Sequence, residues 1–466
     1  MIEGVKPYAE YKESDIPWAP AIPSSWQKER AKRLFTKMQR PVRPEDDVVT
    51  CFRDGMVTLR KNRRLRGFTE ATVFSGYQGI RKGDLVIHGM DAFAGAIGVS
   101  DSDGKGTPVY NVCKPGPGVV ARYYAHTVRE MSRAQWILAL AKGIRERSTD
   151  FRYEMFGNQF VPLPPPEEQA AIVRFLDHAN RKIDGFIRAK RKLIGLLNEQ
   201  KQAIIHRAVT RGLHPDVPLK PSGIPWLGDI PKHWDVRPIK HWTKINARTL
   251  GEATAASFEF RYIDIGAVRT GRLVAAPEVM RFDRSPSRAR RVLVAGDTII
   301  STVRTYLKAV WFAGENPVNL VASTGFAVFS PLASVEPEYL SYVLQDSGFV
   351  DQVTGNSVGI AYPAIAESVL ARLRIAIPPS RSEQVGIIVA IKDQTGPLNT
   401  AISRTEREIA LMQEYRTRLT ADLVTGKLDV REAAAQLPAP PNDAPAPDEP
   451  LEEIETELEE TNDASN

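Results

Sequence analysis

Arginine offers the most specific chemistry in this chain, and it is clustered twice. One run reads Arg60-Lys61-Asn62-Arg63-Arg64-Leu65-Arg66-Gly67. The other reads Arg281-Phe282-Asp283-Arg284-Ser285-Pro286-Ser287-Arg288-Ala289-Arg290-Arg291. Arg304 follows a Gly-Asp turn and an apolar stretch. A guanidinium is planar and permanently charged, and its donors match a phosphate, or the O6/N7 edge of a guanine, two at a time. Arg60, Lys61, Arg63, Arg64, Arg66, Arg281, Arg284, Arg288, Arg290, Arg291 and Arg304 are therefore the candidate contacts to a polyanion. For any one of them a solvated loop residue is the plainer alternative.

Residue sets that make and break bonds are missing at the spacings they need. Asp91-Ala92-Phe93-Ala94-Gly95-Ala96-Ile97-Gly98 has two of the glycines of a nucleotide loop but not GxGxxG, and reads as a turn into a strand. No GxxxxGK[ST] phosphate loop, HExxH, paired Cys/His spacing or Gly-x-Ser-x-Gly elbow is present. Asn316-Pro317-Val318-Asn319 is not an adenine-methylating Asn-Pro-Pro-Tyr motif, and Asp46-Asp47 reads as a solvated turn. The chain is expected to bind and organise, with no catalytic residue and no metal of its own.

The elements that must hold these arginines come in two copies. Ile22-Pro23-Ser24-Ser25-Trp26 recurs as Ile230-Pro231-Lys232-His233-Trp234, 208 residues on. Pro164-Pro165-Pro166-Glu167-Glu168-Gln169 opens a periodic stretch ending in Thr210-Arg211-Gly212-Leu213. Pro379-Ser380-Arg381-Ser382-Glu383-Gln384 opens another, 215 residues on, ending in Thr425-Gly426-Lys427-Leu428. Gly83-Asp84 and Gly296-Asp297 each turn into an apolar strand. Each proline-fixed arm with its indole anchor precedes a globule at 27–160 or 235–376, and each globule precedes a helix at 167–212 or 382–425. Four-three apolar spacing predicts a coiled-coil seam through Ile172, Leu176, Ala179, Ile183, Phe186, Lys190, Leu193, Leu197, Gln200 and Ile204. The second seam runs through Ile387, Ile391, Gln394, Leu398, Ala401, Thr405, Glu408, Met412, Tyr415 and Leu419. Gly396-Pro397 predicts a kink or break.

With 466 residues, 42% hydrophobic and 25% charged, the chain reads as a soluble protein of two or more domains. No apolar run reaches the roughly 18 residues that span a membrane, and no apolar signal core opens the chain, so a cytoplasmic location is expected. Cys51 and Cys113 are read as reduced, a disulfide being the alternative. From Leu437 onward there are ten acidic residues and no Lys or Arg, so this tail reads as disordered. The remaining 62 basic and 46 acidic residues give the body a net charge of +16, which suits a polyanionic partner.

In these arms, Gly-Asp strands, Pro-Pro-x-x-Glu-Gln openings (Pro164 to Gln169, with one extra residue at Pro378 to Gln384) and Thr-x-Gly/Lys-Leu ends, the chain resembles the specificity subunits of type I restriction-modification enzymes. The likeness covers residues 11 to about 430. It implies a mixed α/β fold (α+β): two target recognition domains separated by two long antiparallel coiled-coil helices, in a pseudo-two-fold circular arrangement. The expected divisions are 1–160 (arm and first domain), 161–213 (first helix), 214–376 (arm and second domain), 377–430 (second helix) and 431–466 (acidic tail). Each domain would read one half of a bipartite double-stranded DNA site, and the helices would set the spacer. Glu168, Gln169, Ile172, Leu176, Ile183, Leu197, Ile204, Glu383, Gln384, Ile387, Leu398, Met412 and Leu419 are the candidate helix positions for docking two modification subunits. Restriction subunits would join these. S-adenosylmethionine, ATP and Mg would sit on those partners, which methylate adenine and cut DNA, and none on this non-catalytic chain. The segments Gly355-Asn356-Ser357 and Ala361-Tyr362-Pro363 lack a counterpart in the first globule, where Arg145-Glu146-Arg147-Ser148-Thr149 stands, and the acidic tail is outside the family pattern. A coiled-coil scaffold without sequence-specific DNA binding is the alternative.

Overall fold

The structure, a computed structural model, describes residues 5–63, 76–141, 150–314, 318–359 and 362–438. Arg64, Arg66, residues 145–149, Asn316-Pro317, Ala361 and the acidic tail from 439 onward lie outside the described residues. Of the described residues, 5–189 with 408–438 form one compact unit and 190–407 form the other.

Each unit starts from an arm hairpin. In the first, Tyr11–Ile16 pairs with Ala19–Pro23, Tyr11 facing Pro23. In the second, Leu219–Pro221 pairs with Asp229–Pro231, Leu219 facing Pro231 in the same register. The amide of each following tryptophan then closes a tight turn, Trp26 N–H onto the Pro23 carbonyl at 2.9 Å and Trp234 N–H onto Pro231 at 3.0 Å. Proline ends each strand here because it has no N–H to continue the ladder, and the turn drives the indole inward. Both indoles are fully buried.

The arginine-bearing globules share one antiparallel sheet. In the first unit it runs Phe35–Lys37, Tyr110–Pro115, Leu85–His88, Ile97–Val99. In the second it runs Thr243–Ile245, Phe326–Pro331, Thr298–Ser301, Val310–Phe312. Leu85 faces Cys113 as Thr298 faces Phe329, so the registers match. The Gly-Asp turns enter the same strand of each sheet. Asp84 accepts the Arg81 amide at 2.8 Å and pairs with Arg40. Asp297 accepts the Val294 amide at 2.8 Å and pairs with Arg248 at 2.7 Å. Beyond this sheet the units differ. The second adds a four-stranded sheet, Glu278–Arg281, Glu259–Ile263, Leu320–Ser323 and Ala289–Leu293, with one parallel pair. Among its described residues the first has in that place the short pairs Val49–Cys51 with Val57–Leu59 and Gln78–Ile80 with Gly104–Gly106. Cys51 and Cys113 are both free and buried.

The long helices span Pro166–Arg211 and Arg381–Val424, within a residue of expectation. At 1.5 Å per residue they are about 69 and 66 Å long. Pro166 opens the first helix and Glu167 and Glu168 lie in its first turn, where proline and negative charge are favoured. Of the expected kink or break at Gly396-Pro397 there is no break, the second helix running through Pro397.

The expected boundaries at 160, 213, 376 and 430 set whole helices apart from the globules, whereas each compact unit takes part of each helix. The cause is shared burial. Ile172, Val173, Phe175, Leu176 and Ala179 join Trp26, Phe35, Tyr123, Tyr124 and Phe156 in one core with Leu419, Leu423 and Val424 of the other helix. In this unit Asp184 pairs with Arg416 while the earlier stretch Ile172–Ala179 shares its core with the later stretch Leu419–Val424, as two antiparallel helices do. In the second unit Ile205, Ala208 and Val209 pack with Ile387, Ile388 and Ile391 around Trp234, Phe329 and Tyr339. The predicted seams hold in part, with Ile172, Leu176, Ala179, Ile183, Ile387, Ile391, Thr405 and Leu419 buried. Phe186 is 36% exposed and Leu193 40%, and in the second helix Thr395 is buried where Gln394 was expected. The helices are amphipathic toward the globules first, which rotates the buried stripe off a pure coiled-coil seam.

Candidate nucleic-acid interface

The Glu-Gln pair that opens each helix fastens an arm to a globule. Glu168 Oε1 accepts the Trp26 indole N–H at 2.9 Å and also the Tyr8 hydroxyl. Glu383 Oε1 accepts the Trp234 indole N–H at 2.9 Å, and its Oε2 lies 2.9 Å from His233 Nε2. Gln169 accepts the Val120 amide at 2.9 Å and donates to the Pro164 carbonyl at 2.9 Å. Gln384 accepts the Glu336 amide at 2.7 Å and donates to the Pro378 carbonyl at 2.9 Å. These contacts are inside each unit.

Of the docking candidates, Glu168, Gln169, Ile172, Leu176, Ile183, Gln384, Ile387 and Leu419 are buried in their own unit. Leu197, Ile204, Glu383, Leu398 and Met412 are half-buried. The large apolar side chains that do face solvent on the helices are Phe186, Leu193, Leu196, Val385, Val389, Leu411 and Tyr415. Sequence reasoning placed Phe186, Leu193 and Tyr415 in the seams, and Leu196 and Leu411 sit one position off the predicted stripe.

Among the described residues of the first arginine run, each is engaged within its unit. Arg60 Nε donates to Thr50 Oγ1 at 3.2 Å, and Lys61 pairs with Asp47 at 2.5 Å. Arg63 stacks on Phe52 at 4.3 Å and pairs with Asp54 at 2.6 Å. Asp46, expected in a solvated turn, is buried and bonded to Arg81 at 3.0 Å.

Beside this run lies a cavity of about 500 Å³ lined by Met56, Val57, Lys82, Ile97, Val99, Arg122, His126 and Arg129, with Asp101 its one carboxylate among the described residues. Burial, then the nearby Arg129, Arg122 and Arg133 guanidinium groups, push His126 down to about 3, so its ring is neutral at ordinary pH. Burial lowers Arg129 to about 10. The N–H that each clip glutamine receives, on Val120 and Glu336, aligns the two following helices. It sets Glu338, Tyr342 and Gln345 of the second unit where the first has Arg122, His126 and Arg129. One backbone frame thus carries Arg122, paired with Asp177 at 2.6 Å, and Arg129 in one unit, and Glu338, paired with Lys392 at 2.7 Å, in the other.

The second arginine run is carried by the extra sheet. Arg281 ends one strand and pairs with Asp283 at 3.0 Å, and Arg284 is exposed. Arg288 pairs with Asp264 at 2.9 Å and donates to the Tyr262 hydroxyl at 3.2 Å, which with Asp264 raises its pKa further. Arg290 lies over Phe282 at 4.8 Å. Arg291 keeps a buried Nε without a bond among the described residues. The fold therefore gathers Arg281, Arg284, Arg288 and Arg290 around the Phe282 turn. Arg304 stands apart, over the Tyr362 ring at 5.1 Å. Tyr306 and Tyr362, 52% and 60% exposed, were missed, although alignment of the two turns after the Gly-Asp strands marks the first.

No protein-family model matches the chain. Over 289 residues it is 22% identical to the type I restriction enzyme MjaVIII specificity subunit of Methanocaldococcus jannaschii. That stretch takes 60% of this chain and 64% of the relative, so the chain spans less than two thirds of the length of the curated relative it matches. A chain from a solved structure on complex assembly and conformational transition of the type I R-M system aligns with a TM-score of 0.57 at 14% identity, covering 86% of this chain and 98% of that one. The HsdS subunit from Thermoanaerobacter tengcongensis aligns with a TM-score of 0.39 at 18% identity, over 87% and 98%. The resemblance read from the arms and helices is borne out: the chain is similar in sequence to a type I restriction enzyme specificity subunit and has the fold of a type I R-M system chain.

Proposed function

We propose that this chain is the non-catalytic DNA-recognition subunit of a type I restriction-modification complex. Each unit reads one half of a bipartite site, the two helices fix the spacer, and their exposed apolar residues dock modification subunits. The observation that carries the reading is the contrast between frame and rim. The indole–glutamate clip, the glutamine bridge and the central sheet repeat bond for bond, while the side chains beside them change in charge and kind. Two readers of different sequences on one repeated frame need that contrast; two copies of one catalyst do not.

The continuity of each long helix through the residue where the units divide supports the spacer role. The helix faces also support docking, because Leu196 and Leu411, 53% and 60% exposed, occupy equivalent positions on the two helices. A pair of like partners would meet like surfaces there. Co-expression with a type I modification subunit tests the reading. The expected result is a purified complex that methylates adenine within a split sequence. A complex that methylates without sequence preference, or no complex at all, overturns it.

A further inference from the structure

The turn that follows each Gly-Asp strand has the same length and the same bonds in both units. In the first, Ala94 N–H meets the Asp91 carbonyl at 3.0 Å and Gly95 N–H meets Ala92 at 3.0 Å. In the second, Leu307 N–H meets Arg304 at 2.9 Å and Lys308 N–H meets Thr305 at 3.0 Å. Asp91, Phe93 and Gly95 thus correspond to Arg304, Tyr306 and Lys308. The first set is quiet: Asp91 pairs with Arg53 at 3.1 Å, Phe93 packs on the core, and glycine takes the left-handed position at φ 91°. In the second set both flanking residues are left-handed without being glycine, Arg304 at φ 51° and Lys308 at φ 50°. Such backbone costs free energy that glycine avoids, and it persists where the surroundings hold it.

Here the surroundings do hold it. Thr270 Oγ1 donates to the Lys308 carbonyl at 2.6 Å, and Thr305 Oγ1 lies 2.8 Å from Ser357 Oγ. Val303 bridges Ala364, and Ile365 N–H meets the Thr302 carbonyl at 2.8 Å. That second segment carries Tyr362, whose ring lies beneath the Arg304 guanidinium. Arg304 has no carboxylate partner among the described residues. A guanidinium held over a ring, with no carboxylate to occupy its donors, keeps a planar pair of N–H groups for two acceptors on one base edge.

We infer that this turn is the base-reading element of the second unit: Arg304, held on Tyr362, makes a two-donor contact to a guanine edge, and Tyr306 packs against the same groove. The inference rests on the DNA-recognition reading above and adds the residue and the base. It also assigns the task to one unit only, since the matching turn of the first is acidic and closed.

The test selects double-stranded oligonucleotides with a randomised region on the full chain, and compares it with R304K and Y362L. Lysine keeps the charge but loses the planar pair of donors. R304K is expected to lose about 10–100-fold of its preference for guanine at one position of one half-site. The other half-site and the salt dependence of binding should stay as they were. Y362L, at an exposed position, is expected to weaken the same column. If the unaltered chain selects no preferred sequence, the recognition reading falls and this inference with it. If it selects a split sequence that R304K and Y362L leave intact in both halves, only the assignment of this turn falls. A loss at a base other than guanine overturns the choice of base.

Discussion

Trp26 and Trp234 each give a fully buried ring and one indole N–H, and a helix-opening glutamate receives that N–H. Replacing Trp26 by Ala removes a ring that packs on Tyr8 and Tyr123, with centroids 5.8 and 6.4 Å away. A loss of about 3–5 kcal/mol is expected, read as a lower midpoint in chemical unfolding. Glu168→Ala leaves two buried donors, on Trp26 and Tyr8, without an acceptor and should cost about 1–3 kcal/mol. His206 supplies a pH dependence. Its Nδ1 lies 2.9 Å from Asp346 Oδ2, and that hydrogen bond raises the imidazole pKa against opposing burial, with Arg211 lowering it slightly. A raised folded pKa contributes stability that is complete below the unfolded value of about 6.5 and disappears as pH rises through the folded value. Between pH 6 and 8 the unaltered chain should therefore lose stability that H206Q does not lose, as unfolding midpoints at both pH values will show. On the surface, Arg284→Ala should weaken DNA binding evenly across sequences and lower the salt slope by about 1.

At the scale of elements the long helices were readable because each shows repeated apolar spacing, a proline at or near its start and early glutamates. Their interior was less readable. Pro397 has no N–H to give the preceding turn, yet the helix continues through it because both flanking stretches are pinned by packing, with Ile391 and Ile402 buried on either side. Pro397→Ala is expected to raise stability by up to about 3 kcal/mol, measured by thermal unfolding. The helix ends are set by contact as much as by propensity. Gly426 is left-handed at φ 76°, and a Cβ there would lie 2.9 Å from Trp26 Cζ3 and closer still to Pro23. Gly212, its counterpart, sits against Trp234. Adding seven residues to each helix lengthens it by about 10.5 Å, or about three base pairs, for nearly whole turns. Under the proposed function the spacer should grow by that amount with both half-sites unchanged, as mapping of methylated adenines will reveal.

For the whole molecule the prediction concerns independence. Exchanging residues 27–160 for the same region of another specificity subunit should change one half of the methylated sequence and leave the other half intact. A change in both halves would show that the units do not read separately.

The sequence alone determined the doubled order of arm, globule and helix, the Gly-Asp strands and the basic body, because turn chemistry and periodicity depend on residues close together in the chain. Tertiary structure alone decided which of those residues are available. Glu168 and Gln169 are internal fasteners in a way no local pattern announces, because their partners, Trp26 and Val120, lie 142 and 49 residues away. Arg63 is held by Phe52 and Asp54, whereas Arg304 meets Tyr362, a ring 58 residues on that no local pattern connects to it. Burial and pairing are properties of the folded neighbourhood, so a spacing rule can name the arginines and the helices but cannot say which of their side chains remain free to meet another molecule.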